Sequence, residues 1–129
     1  MKQEYDDLQV IIKAKRLAID TVKIISNCNK FPKKFRFTLC DKMQDKAMDI
    51  YELLLDANRT PLSDKKERYK LQSKAITNCD KLLFYIEMCL EVDGIVLTPG
   101  CAENWSKLVS DIKYMTIAWR TKDKERMSA

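Results

Sequence analysis

In the last third of the chain Trp105, Leu108, Ile112, Met115 and Trp119 recur at alternating steps of three and four. That step tracks 3.6 residues per turn and sets these side chains along one side of a helix, where a strand would alternate at every second residue. Three further segments carry the same step. Leu39, Met43, Ala47, Ile50 and Leu54 form one row, and Ala75/Ile76, Cys79, Leu82/Leu83, Ile86 and Cys89/Leu90 form another. The first segment has two rows side by side: Leu8, Ile11/Ile12, Ala18/Ile19, Val22 and Ile25, next to Val10, Ala14, Leu17, Ile24 and Cys28. So wide an apolar face exceeds the need of a single helix seam and leaves surplus to cover a neighbouring subunit.

Breaks between the rows delimit the helices. Pro32 lacks the amide hydrogen a helix interior uses and disfavours helical geometry at Phe31, so residues 29 to 37 read as a linker. Thr38, with Asp41 three positions on, reads as the N-cap that restarts the chain. Asn58 and Pro61 close the second helix; Ser63 or Asp64, with Glu67 following, opens the third; Gly94 tolerates the positive φ of a helix end. Thr98 and Pro99 supply a cap and a proline at the first helical position. Helices over about 4–28, 38–58, 64–93 and 99–121 are expected, with the tail from Arg120 to Ala129 fraying. Joined by short connections they give an all-α fold, an up-down-up-down antiparallel four-helix bundle, as a single domain over 1–129. Two glycines and three prolines leave little for the turns of a many-stranded fold.

The chain has no histidine. Ser-His and Cys-His nucleophilic pairs, the H-E-x-x-H zinc motif and the Glu-x-x-His ligands of di-iron bundles are thereby excluded. With Gly94 and Gly100 as the two glycines, no phosphate-cradling glycine-rich loop can be written. Asp41, Asp45 and Asp49 share one face of the second helix, but they alternate with Lys42 and Lys46 away from the apolar row, the pattern of a solvated face rather than a metal site. Cys101 at a helix start has no imidazole to activate it. The five cysteines, an odd number without C-x-x-C spacing, mostly sit among apolar residues and read as small hydrophobes in a reducing compartment. The expectation is a protein that is not an enzyme and carries no cofactor and no metal. No run approaches the roughly 18 apolar residues of a membrane span, and the N-terminus lacks the apolar core of a signal peptide, so a cytoplasmic location is expected.

The 24 basic against 19 acidic residues leave a charge of +5, a modest tilt toward polyanions. The charge is segregated. Residues 30–36 hold Lys30, Lys33, Lys34 and Arg36 with Phe31 and Phe35 and no acid, offering phosphate contacts beside rings that stack on unpaired bases. The alternative is that Phe31, Phe35 and Phe37 plug the bundle end while the lysines keep the turn soluble. Lys65, Lys66, Arg68, Lys70 and Lys74 make a second basic set; Arg120, Lys122, Lys124 and Arg126 make a third. Residues 41–56 and 80–93 are mainly acidic.

The order Lys30-Phe31-Pro32-Lys33, Phe37-Thr38-Leu39, Leu53-Leu54 with Asp56-Ala57-Asn58, Cys79-Asp80-Lys81-Leu82 and a fourth helix ending at Trp119 resembles the Avd-like four-helix-bundle proteins. These are the accessory variability determinants of diversity-generating retroelements, similar in fold to ribosomal RNA intervening-sequence proteins. The resemblance implies a homopentamer whose basic surface binds a reverse transcriptase and its template RNA, supporting mutagenic cDNA synthesis without performing it. It departs at Leu83 and Glu87, where such proteins tend to carry arginines, so RNA contacts from that segment are not carried over. The RNA-binding residues expected are Lys30, Lys33, Lys34, Arg36, Arg120, Lys122, Lys124 and Arg126. The alternative is a structural bundle of the intervening-sequence type that associates only with itself.

Overall fold

The computed structural model describes residues 2–128, with side chains described from 9 to 126. Four helices carry the fold: α1 (Lys2–Ile25), α2 (Asp41–Arg59), α3 (Lys65–Cys89) and α4 (Pro99–Ser128). Each packs on its neighbour in sequence and α4 returns to α1, so the helices run up, down, up and down around one core. The chain is an all-α four-helix bundle. Among the described residues no helix is long and apolar enough to cross a membrane.

The buried rows repeat at steps of three and four. In α2 the row is Met43, Ala47, Ile50, Leu54 and Ala57, as the spacing predicts. In α3 it is Ala75, Cys79, Leu82, Ile86 and Cys89, extended backwards by Gln72 and Arg68. In α4 the row rotates from the expected one: Trp105, Ile112 and Trp119 are buried, with Val109 and Thr116 between them, while Leu108 and Met115 lie half-buried on the flank. The core face of α1 draws on both expected rows, Val10, Ala14 and Leu17 from one and Ile11 and Ile25 from the other, with Thr21 between them, while Ile24 is half-buried and Cys28 exposed. Thr21 is there for a partner, since its hydroxyl accepts the Trp105 indole N–H at 3.0 Å and so pins α1 to α4. Ile12 and Ile19, from the other row, stay exposed. Leu8, at the head of that row, lies outside the described side chains.

The connections correct several expected boundaries. α1 stops at Ile25 rather than Cys28, because the Asn27 carbonyl accepts the Lys30 and Phe31 amides at 3.0 and 2.8 Å and the Asn27 side chain accepts the Asn29 amide. Asparagine favours this self-capped turn over continuing a helix. Thr38 does not cap α2. A tight turn over Lys33–Phe35 and a wide one over Arg36–Cys40, closed by the Asp41 amide on the Arg36 carbonyl, have already wound the chain before Thr38 is reached. Its hydroxyl donates back to the Phe35 carbonyl instead. Asp64 does cap α3, accepting the Glu67 amide, and Thr98 caps α4, accepting the Cys101 amide at 3.2 Å. α3 ends at Cys89 rather than residue 93, and Gly94 then adopts φ +95°. A Cβ on Gly94 would lie 3.4 Å from Lys34 and Phe35, and the Val96 amide reaches the Lys30 carbonyl at 2.9 Å. The α1–α2 and α3–α4 connections are thus packed together at one end.

At the opposite end α4 does not fray at Arg120 but runs to Ser128. Asp123, 2% exposed, holds it in place. Its carboxylate accepts from Arg68 Nε and Nη2 at 3.0 and 2.8 Å and from Gln72 Nε2 at 2.8 Å. Arg68 Nη1 also donates to the Ala57 and Thr60 carbonyls, satisfying the open C-terminus of α2. One buried guanidinium therefore ties α2, α3 and α4, and its plane lies 5.4 Å from the Trp119 ring.

Candidate nucleic-acid interface

Antiparallel topology divides the expected basic residues between the two ends of the bundle. Lys30, Lys33, Lys34 and Arg36 lie in the α1–α2 connection; Arg120, Lys122, Lys124 and Arg126 lie on the last turns of α4, beside the start of α3. With α3 25 residues long at about 1.5 Å per residue, the two sets sit some 30 Å apart or more.

At the linker end Phe31 is buried and plugs the bundle, whereas Phe37 is 82% exposed and plugs nothing. Lys30 is half-buried with its ammonium 3.9 Å from the Cys101 sulfur, and Lys34 lies over the Phe35 ring at 5.2 Å. Lys33 and Arg36 are exposed and border a cleft of about 290 Å³ with Phe31, Pro32 and Asp41. This end offers cations and one projecting aromatic, without a deep site.

The other end is more organised. Lys66, Lys70, Lys74 and Lys81 follow one side of α3 at helical spacing, all exposed. Tyr69, 52% exposed, stands among them, and the Arg120 guanidinium lies 5.0 Å over its ring while donating to the Ser73 hydroxyl at 2.9 Å. Packing of α3 on α4 opens a cleft of about 440 Å³ here, lined by Lys65, Lys66, Tyr69, Gln72, Arg120, Asp123 and Lys124. A shallower groove continues from Tyr69 along Lys70, Lys74 and Lys81. The second and third basic sets of the sequence thus merge into one face. Arg68 leaves that set, being 5% exposed and turned inward. Arg126 is turned toward Asp123, while Lys122 stays exposed.

Phosphates suit such a face, because lysines supply charge without fixed geometry, while Tyr69 and the Arg120 plane supply stacking surface for bases. Gln72 adds a polar floor: it is 1% exposed, its amide nitrogen is taken by Asp123, and its Oε1 has no hydrogen-bond partner. Tyr69, Gln72 and Asp123 were not among the residues expected. Stepping back by three and four from Ala75 lands on Gln72 and Arg68, and stepping on from Trp119 lands on Asp123, so the signal was polar residues at core positions. Asp41 and Asp45 are exposed on α2 and Asp49 half-buried. Among the described residues no group of three or more cysteine or carboxylate side chains is gathered that could hold a metal ion. All five cysteines are free; burial pushes the Cys79 and Cys89 thiols up to about 12 and raises Cys40 as well.

Fold and surface together define a class: a small all-α bundle with a basic, aromatic-bearing face where α3 meets α4. No family model matches the chain, and no curated protein and no solved structure matches it either.

Proposed function

We propose that the chain is a non-catalytic RNA-binding accessory protein of a reverse transcriptase, of the kind found in diversity-generating retroelements. The α3/α4 face holds template RNA and the linker end engages the polymerase. One observation carries the RNA half: Lys66, Lys70, Lys74 and Arg120 surround the exposed Tyr69 on a single face. That a polymerase is a partner rests on the resemblance; its seat at the linker end, where RNA contacts were expected, is proposed because the separation of the two basic ends leaves room for two partners at once. A reducing, cytoplasmic setting goes with this reading, given five free thiols.

Fluorescence anisotropy with labelled single-stranded RNA tests it. The triple variant Lys66→Glu, Lys70→Glu, Lys74→Glu binds at least about tenfold more weakly, since three phosphate contacts become repulsions. Reversing Lys33, Lys34 and Arg36 instead leaves RNA affinity nearly intact and abolishes copurification of the polymerase. RNA binding indifferent to the first triple rules the face out.

A second reading is favoured by the exposed Ile12 and Ile19 on α1: a structural bundle that associates with itself, up to a pentamer, and binds neither RNA nor polymerase. Light scattering that shows an oligomer, with no RNA shift, would favour it.

A further inference from the structure

Polarity changes with depth in the α3/α4 cleft. Its exposed members, Lys65, Lys66 and Lys124, are cationic, and Tyr69 with the Arg120 plane above its ring offers an aromatic wall. Its buried members present acceptors. Gln72 donates one amide N–H to Asp123, and its Oε1 has no partner. The Asp123 carboxylate lies beside it, already accepting from Arg68, Gln72 and Arg126. A buried acceptor without a donor is a standing cost that a donor-bearing ligand relieves.

We infer that this cleft seats one nucleobase bearing an exocyclic amino group, adenine, cytosine or guanine, with its phosphate among the lysines at the mouth. The inference rests on the reading of the face as an RNA surface. The base stacks on Tyr69 and turns its exocyclic N–H toward Gln72 Oε1. Uracil fits worse, because its edge flanks a single N–H with two carbonyl oxygens that would face the Asp123 carboxylate. The cleft volume lies within the usual range for small-ligand sites. Because Gln72 Oε1 is closed to water, the base enters as side chains at the mouth shift outward, a rotamer change common at interfaces.

The test compares oligo(rA), oligo(rC) and oligo(rU) of equal length, and separately AMP, CMP and UMP, at one salt concentration. The wild-type chain is expected to bind the adenine and cytosine oligomers about tenfold more tightly than the uracil oligomer, a typical gain for one satisfied base contact. Gln72→Met, which keeps the volume and removes the acceptor, erases that difference. Tyr69→Ala, at an exposed position, weakens all three by about tenfold through lost stacking, and if Gln72→Met fails to fold the wild-type ranking of AMP and CMP over UMP still decides the base preference. Equal affinities for the three oligomers in the wild type overturn the inference, as does a preference that survives Gln72→Met. If no oligomer binds yet AMP and CMP bind over UMP in a Gln72-dependent way, the RNA reading fails while the base site stands. Binding of neither class overturns both.

Discussion

Asp123 is the side chain on which most depends at the α2–α3 end. It sits in the core row of α4, where an apolar residue is the rule, and is tolerated because Arg68 and Gln72 occupy the matching core positions of α3. Buried pairs contribute little net stability when complete but are costly to break, since the survivor is left charged and unpaired. Asp123→Ala is therefore expected to lower the unfolding free energy by about 3–5 kcal/mol in urea titrations. The double variant Arg68→Met, Asp123→Leu recovers much of that loss, and losses that simply add would contradict the pairing. The thiols make a second residue-scale prediction. Cys79 is fully buried with its pKa near 12 against the ordinary 9.0, so between those values the unfolded chain releases a proton that the folded chain keeps. Stability is thus unaffected by this group below pH 9 and falls as pH rises above it, by about 1.4 kcal/mol per pH unit. Urea unfolding at pH 8 and pH 10.5 should show a shallower decline in Cys79→Ala. Lys66, Lys70 and Lys74 were legible in the sequence as a basic set. Gln72 and Asp123 were not, because polar residues at apolar spacing look like solvated ones until the opposing helix supplies their partners.

At the scale of the helix, local chemistry marks starts better than ends. Asp64 and Thr98 with Pro99 act as their residue types dictate, since each feature is satisfied by the backbone within a few residues, whereas Gly94 takes its positive φ in the connection after α3 has ended at Cys89. The end of α1 and the start of α2 were misplaced because the Asn27 turn and the windings over Lys33–Phe35 and Arg36–Cys40 take up the backbone locally. The end of α4 was misplaced for a long-range reason: residues 121–128 are polar enough to fray alone, and the buried Asp123 carboxylate, held by Arg68 and Gln72, keeps them helical. Ending the chain at Arg120 should therefore lower the urea midpoint about as far as Asp123→Ala does. An unchanged midpoint would show that the last turns contribute nothing to the bundle.

Over the whole molecule the periodic rows were sufficient to define the all-α bundle, while the distribution of charge had to await the packing. Antiparallel topology pulls two of the three basic sets together across α3 and α4 and sends the linker set to the far end, leaving the exposed carboxylates Asp41, Asp45, Glu52 and Asp56 on α2. A chain with only modest net charge thereby presents one concentrated positive face. On the proposed reading this face would bind RNA mainly by displacing counterions, which sets the slope of log affinity against log salt at about −0.7 per phosphate contacted. The decisive measurement is that slope for single-stranded RNA, in the wild type and in the variant Lys66→Glu, Lys70→Glu, Lys74→Glu. A steep wild-type slope that flattens by about two in the variant is the predicted result, three contacts at roughly 0.7 each. A slope identical in the two proteins, or RNA binding absent from the wild type, would contradict it.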